Sequence, residues 1–438
     1  MNVAQVNEHL SRGDVDVEGV LPKLEELRKA AFAFAFQFGL DQLPVKPGLL
    51  IIRGARQYGK STWLQQQIRQ TIREHGPGTA FYLNGDELRD ERSLVEHVRT
   101  LAPLFRSDAA VRRLFIDEIT AVADWQRALK LLIDAGELRR VLVVTTGSKA
   151  ADLRHGAERL PGRKGKLPRT TYLFTPIPFA EFEKKCARAV GRRHRVAAYL
   201  IAGGSPAALA EVAATGRLAT HITEMARDWI VGEFAASGRS REMLVGVMEV
   251  LHRFAGSPVG QAKLAREAGL SNNTVAAGYV DLLTDLTCVA SCFPWDASRK
   301  RLIRRAPCKF HMTNLLAAVA WHPRHPRSPR EFLALPATQQ ASLVEWLVAQ
   351  ELWRRAAVEG ADLPEALAFW RSADHEIDFV RGDESFVEVK LGTSTPLEFA
   401  WFPRVFPRGV LTVVGGSRFR TDRIAGVDLA DFLRGRDE

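Results

Sequence analysis

The chain has 438 residues and a formal net charge of +10, with 46% hydrophobic and 26% charged residues. That is the makeup of an ordinary globular protein of about three domains, and it excludes a repeat protein and a disulfide-stapled miniprotein. The longest apolar run near the N-terminus, Ala30 to Phe36, falls short of the roughly 20 residues a membrane span needs. It also lacks a leader's basic start and cleavage site. Four cysteines fit a reducing compartment. A cytoplasmic protein without membrane contact is expected.

Residues 1–40 read as a lead-in with one helix, from about Leu21 to Phe38. Residues 41–176 alternate strand runs with helical runs, the α/β pattern of a parallel sheet covered by helices. The predicted strands are Leu49 to Ile52, Ala80 to Leu83, Arg113 to Ile116, Val141 to Thr145 and Thr170 to Phe174.

Between the first strand and an amphipathic helix lies Gly54-Ala55-Arg56-Gln57-Tyr58-Gly59-Lys60-Ser61, followed by Thr62. This fits the GxxxxGK[ST] phosphate loop and predicts ATP binding. Glycines let the chain turn so that successive N–H groups point at phosphates. The helix N-terminus adds partial positive charge. Lys60 is placed to reach the β- and γ-phosphates, and the Ser61 hydroxyl to sit on Mg²⁺.

The third strand ends in Asp117 and Glu118. Asp117 is expected to hold Mg²⁺ through water, and Glu118 to orient the attacking water. The fourth strand runs into Thr146-Gly147-Ser148. Ser148, or failing it Thr146, is a candidate γ-phosphate sensor, although either can simply cap a helix. Arg163, just before the fifth strand, is a candidate arginine finger acting on a neighbouring subunit, which implies a homo-oligomer.

These pieces resemble a prokaryotic family of AAA-type (AAA+) P-loop ATPases. Its members carry a winged helix and a C-terminal PD-(D/E)XK restriction-endonuclease-like domain of uncharacterised function. The matching strings are GARQYGKST at 54–62, LFIDEI at 114–119, TTGS at 145–148, PGRKGK at 161–166, PIPFAEF at 176–182 and AGGSPAAL at 202–209. The resemblance implies an ATPase core at 41–176, a helical lid at 177–237, a winged helix at 238–315, a linker at 316–330 and a nuclease-like domain at 331–438.

The residues support the winged helix independently. Gly260 to Ala268 and Asn272 to Leu283 read as a helix-turn-helix. A hairpin comes next, from about Thr287 to Phe293 and from Leu302 to Met312. Basic clusters at Arg159 to Arg169, Lys184 to Arg195 and Arg299 to Lys309 suggest contact with DNA phosphates. The second helix, Asn273 to Tyr279, is poor in base-reading side chains, so no sequence choice is expected. Cys288, Cys292, Cys308 and His311 invite a zinc reading. Cys308 and His311, three apart in a strand, would face opposite ways, which favours buried thiols.

The tail holds a second constellation. If the turn of a hairpin over Glu376 to Arg381 and Phe386 to Leu391 centres on Asp383, Asp378 lies opposite Glu388 and on the face shared by Lys390. This looks like the D…ExK arrangement of PD-(D/E)XK nucleases, with Glu345 as the upstream helix glutamate. The resemblance implies a second divalent metal, Mg²⁺ or Mn²⁺, on Asp378 and Glu388, and a catalytic set of Glu345, Asp378, Glu388 and Lys390. Two functions stay open. One is an ATP-driven machine on DNA with a cutting tail. The other is a nucleotide-dependent switch whose tail is an inert binding module.

Overall fold

In the computed structural model, the five apolar runs form β1 (Gly48–Arg53), β2 (Ala80–Asn84), β3 (Arg113–Asp117), β4 (Leu142–Gly147) and β5 (Thr171–Leu173). The structure describes residues 1–147, 160, 162–361, 367–382 and 384–436. The strands pair in parallel in the order β2-β3-β4-β1-β5. Their mostly buried residues are what a sheet covered on both faces requires. Leu49, Ile51, Leu114, Ile116 and Val143 form one core with Leu94, Val98, Trp125 and Leu129 of the helices Glu91–Leu101 and Trp125–Asp134. The helix Lys60–His75 buries Trp63, Leu64, Ile68 and Ile72 and lies against β2, β3 and β4.

The lead-in differs from expectation. It contains two short helices, Val3–Arg12 and Pro22–Lys29, and residues 31–38 are not helical. Phe34 and Phe38 are buried, Phe32 and Phe36 half-buried, and the residues between them exposed. This period of two marks an extended segment. Phe38 packs on Phe174 and Trp63, with ring centroids 4.8 and 5.2 Å away. At the sheet edge, the Asn7 amide donates to Tyr82 O (2.7 Å) and accepts from Tyr82 N (2.8 Å). These bonds satisfy backbone groups that an edge strand would otherwise leave open.

The chain divides into two compact units, Met1–Thr175 and Pro176–Glu438. The second opens with helices Phe179–Cys186, Arg195–Ala202, Pro206–Thr215 and Thr220–Ala236. Helices Arg241–Arg253, Gln261–Glu267 and Asn273–Asp285 precede β6 (Val289–Asp296), β7 (Arg301–Leu302) and β8 (Lys309–Met312). After the long helix Ala337–Glu359 come β9 (Ala368–Arg371), β10 (Glu376–Arg381), β11 (Ser385–Val389), β12 (Val410–Gly415), β13 (Phe419–Arg420) and β14 (Ile424–Asp428). These strands make one nine-stranded sheet in the order β13-β14-β12-β11-β10-β9-β6-β7, with β8 paired to β6.

That sheet crosses the expected boundary. β6, assigned from sequence to 238–315, pairs in parallel with β9 of the tail. The expected linker at 316–330 is not a free connection either. It begins within the helix Leu315–Trp321, which buries every residue from Leu315 to Ala320. The proline- and histidine-rich stretch is only the turn between this helix and Pro329–Leu333. Among the described residues, no helix is long and apolar enough to cross a membrane.

An ion-pair group ties the two ends of the second unit. Arg434 donates twice to Glu183 (2.6 and 2.7 Å), and Arg195 donates to the same carboxylate (3.0 Å). The Arg434 hydrogen bonds, helped by those of Arg195, overcome burial and hold Glu183 down at about 2. A depressed carboxylate gives stability that is present above its unfolded value and lost as pH falls through its folded one. Glu183→Gln is therefore expected to cost roughly 1–3 kcal/mol near neutral pH. Its thermal midpoint should approach wild type as pH drops from about 4.5 toward about 2. A constant gap across that window would show that Glu183 is not the titrating group.

Candidate functional site

The loop after β1 wraps back over itself. Gly54 and Ala55 are buried, Arg56 and Gln57 exposed, and the helix begins at Lys60. Two residues adopt left-handed backbone, Gln57 (φ 63°) and Gly59 (φ 96°). A Cβ on Gly59 would also meet the Phe36 ring at 2.6 Å, so glycine is required there on two counts. Lys60 is buried and its Nζ donates to the carbonyls of Gly54 (2.8 Å) and Ala55 (2.7 Å). Burial lowers the ammonium to about 8, against the opposing pull of Glu118 and Asp117. The Ser61 and Thr62 side chains are half-buried at the same helix start.

The acids sit at the tip of β3. Asp117 is buried, and Thr146 at the end of β4 donates its hydroxyl to Asp117 Oδ1. The same Thr146 oxygen accepts from the Glu118 N–H (3.1 Å). Glu118 itself has left-handed backbone (φ 48°), and Thr120 donates to its carboxylate (2.9 Å). A non-glycine residue in this region carries strain of about 1–3 kcal/mol, which persists where surrounding contacts fix it. Gly85, after β2, makes room for this tip, since a Cβ there would meet Glu118 O at 2.2 Å. Asp86, beside it, is a member of the site that no sequence motif indicates. Burial and the nearby Glu118 raise its carboxyl, while Arg56 pulls it down.

Thr146 is thus the β4 residue that touches the acids, while Ser148 lies outside the described residues. Arg163 pairs with Asp134 (2.7 Å) at the end of the helix Trp125–Asp134. Within one chain its charge is directed there.

The tail brings Glu345, Asp378, Glu388 and Lys390 to one region, with partners the sequence did not indicate. Asp378 and Glu388 are cross-linked: Glu388 Oε2 accepts from Asp378 N (3.2 Å), and Asp378 Oδ2 accepts from Val389 N (3.0 Å). Lys390 Nζ lies 2.7 Å from Glu388 Oε1. Lys309 of β8, the last residue of a basic cluster expected at the surface, is instead 1% exposed. Its Nζ lies 2.6 Å from Glu376, 2.9 Å from Asp378 and 3.4 Å from Glu345. His311 Nε2 donates to Glu345 Oε1 (2.9 Å). Burial would lower Lys309, but Asp378, Glu345 and Glu376 outweigh it and hold the ammonium charged. Burial raises Glu388, and Asp378 adds to the rise.

The metal expected on Asp378 and Glu388 does not fit this arrangement. Their oxygens face Lys309, Lys390 and backbone N–H groups rather than a common point. Among the described residues, no group of three or more His, Cys, Asp and Glu is placed to hold a metal ion. His311 is engaged by Glu345, and Cys288, Cys292 and Cys308 are buried free thiols. The sequence signal for this cluster is Lys309 and His311 at i and i+2 within an otherwise apolar strand.

Residues 46–183 match the family model of an AAA domain, and residues 193–318 that of a domain of unknown function (DUF8612). No curated protein matches. Among solved structures, the chain is similar to the Walker-type ATPase PABY2304 of Pyrococcus abyssi. The identity is 13% and the TM-score 0.42, over 71% of this chain and 97% of that one. It is also similar to RuvB of Thermotoga maritima, at 14% identity and TM-score 0.32, over 55% and 81%. AMPPCP-bound DnaA from Aquifex aeolicus gives 13% and 0.29, over 63% and 91%. These likenesses are remote. The family match, the phosphate loop after β1 and the acid pair after β3 make the first unit an AAA-type P-loop ATPase domain.

Lys60 gives this site a pH signature. Above about 8 its ammonium loses its proton and the loop loses charge. ATP affinity should therefore fall above about pH 8, by up to about tenfold per unit. Lys60→Ala should bind more weakly and show no such break. Titration with a fluorescent nucleotide across that range tests this, and matching pH profiles for the two proteins would refute it.

Proposed function

We propose that the protein is a Mg²⁺-dependent ATP hydrolase that works on nucleic acid as an oligomer, with a C-terminal sheet that serves as a binding module. The observation that carries the ATPase reading is the Thr146 bridge, which fixes Asp117 and the Glu118 backbone at one sheet edge. Lys60 supplies positive charge for the phosphates, and the N–H groups of the loop orient them. Ser61 and Asp117 are the residues that would hold Mg²⁺, which neutralises phosphate charge when bound. Glu118 orients the attacking water and accepts its proton, and Thr120 and the strained backbone limit where that carboxylate can point. Arg163 would act on a neighbouring subunit's nucleotide after exchanging Asp134 for phosphate.

Contact with nucleic acid rests on charge and shape. Helices Gln261–Glu267 and Asn273–Asp285 with the β6–β8 hairpin suit a winged helix. Arg299, Lys300 and Arg301 are exposed at its tip. Arg192 and Arg193, also exposed, line a cavity of about 1070 Å³ together with Arg418 and Arg436. Such surfaces bind backbone phosphates without choosing sequence. The second reading, a metal-dependent nuclease built on Glu345, Asp378, Glu388 and Lys390, needs acids that are free to take a metal. The Lys309 contacts favour the module instead.

Glu118→Gln is expected to bind ATP as wild type does while hydrolysing it at least about 100-fold more slowly. Arg163→Ala should also keep binding and lose turnover, with partial recovery when mixed with Lys60→Ala protein. Steady-state phosphate release beside nucleotide binding reads all three. Wild-type turnover by Glu118→Gln would remove the assignment.

Duplex DNA affinity should fall steeply with salt, with a log–log slope of roughly −0.9 per phosphate neutralised. Replacing Arg299, Lys300 and Arg301 with alanine should flatten that slope and weaken all sequences alike. No binding at about 50 mM salt would favour the switch reading. The same samples with Mg²⁺ or Mn²⁺ should show no strand cleavage. Cleavage that Asp378→Ala abolishes would restore the nuclease reading.

A further inference from the structure

We infer that the Lys309 ammonium is the resident cation of the tail's acidic cluster. It stands where a divalent ion would stand, so while it is in place Glu345, Glu376 and Asp378 take up no divalent cation. The inference extends the binding-module reading and rests on it.

The cluster is assembled from three elements. On β8, Lys309 and His311 share one face; on β10, Glu376 and Asp378 share one face; Glu345 comes from the helix Ala337–Glu359. Acids at this density repel one another and call for positive charge. Lys309 provides it at 2.6, 2.9 and 3.4 Å from Glu376, Asp378 and Glu345. Carboxylate oxygens bind Mg²⁺ at about 2.0–2.1 Å and Ca²⁺ at about 2.3–2.6 Å. An ion coordinated by the same oxygens would therefore lie in contact with the ammonium. Two cations cannot share that space at low dielectric.

Lys309 is not placed to swing away. Its backbone is laddered to β6 through the Lys309–Cys292 pair, and its ammonium sits 5.5 Å from the centre of the Phe369 ring. The side chain is 1% exposed, so no open surface is available to it. The cation also has a different origin from the acids. Lys309 belongs to the stretch matched by the domain of unknown function at 193–318, whereas Glu345, Glu376 and Asp378 all lie beyond it. The charge closure is thus a joint between two sequence regions, made by a lysine on a strand paired to β6.

The test uses the full chain without nucleotide and Mn²⁺ alone as the probe, counted by electron paramagnetic resonance. Asp378→Asn identifies ions bound at the tail. Wild type and Asp378→Asn should take up the same amount of Mn²⁺. Lys309→Ala should take up one more ion per chain and lose it again in the Lys309→Ala/Asp378→Asn double variant. The thermal midpoint of Lys309→Ala should lie several degrees below wild type in chelator and recover with Mn²⁺, while wild type should not respond. A wild-type ion that Asp378→Asn loses overturns the inference. So does a folded Lys309→Ala that binds nothing extra. If Lys309→Ala does not fold, Lys309→Met keeps the apolar stem and takes its place. If neither folds, equal uptake by wild type and Asp378→Asn supports the inference and unequal uptake overturns it. Strand cleavage by wild type would count separately, against the module reading itself.

Discussion

Strands running in parallel end at the same edge of a sheet, and the nucleotide unit depends on which strands end side by side. β4 lies between β1 and β3, so its tip stands between the phosphate loop and the acid pair. The register pairs Ile52 with Thr146 and Ile116 with Thr145. Thr146 is therefore the side chain able to touch the acids at the end of β3 while sitting beside the strand that feeds the loop. One hydroxyl gives a hydrogen bond to Asp117 and takes one from Glu118 N. That bridge helps to hold the left-handed backbone of Glu118, which carries about 1–3 kcal/mol of strain. Open α/β sheets place ligands outside the carboxyl ends of their strands, and this arrangement provides the side chains needed there.

Much of this was legible because the first unit obeys local rules. A buried strand, a glycine-rich turn and an amphipathic helix each leave a pattern within about 20 residues, and the two motifs fell on strands that formed. The lead-in departs from its expected helix although its true pattern is present in the sequence. Ala and Phe alternate from Ala31 to Phe36, a period of two that favours an extended chain over the helix that alanine content suggests. The pairing of Asp378 with Glu388 was legible for the same reason as the loop, since a short turn fixes the register of its hairpin.

The rest was hidden because it is not local. No sequence spacing announces that β6 will join β9, or that Lys309 will meet an acid 69 residues away. A run of arginines ending in a lysine at 309 looks like one basic surface. The β8 backbone separates it, leaving Arg304 and Arg305 exposed and turning Lys309 inward. The same holds for Arg195, whose charge is directed to Glu183 rather than to a partner in solution. Net charge from sequence therefore overstates the surface available to phosphates. The arginines at the hairpin tip and at Arg192 and Arg193 are what remains of that expectation.

Two buried lysines show how surroundings separate an open site from a closed one. Lys60 and Lys309 are both nearly removed from water, and burial acts to neutralise each of them. Around Lys60 burial prevails: its hydrogen bonds go to two neutral carbonyls, and Asp117 and Glu118 only partly offset the loss of solvent. An ammonium in that state gains from any anion that can replace a carbonyl, and a polyphosphate does so with full charges. Around Lys309 the carboxylates prevail, with three of them within 3.4 Å. Its charge is already met, so an added anion would bring repulsion and an added cation would have to displace the lysine. Breaking such a buried group by removing one partner costs about 3–5 kcal/mol, more than a weakly bound ligand can return. The first lysine is thus held ready for exchange, and the second is held as structure.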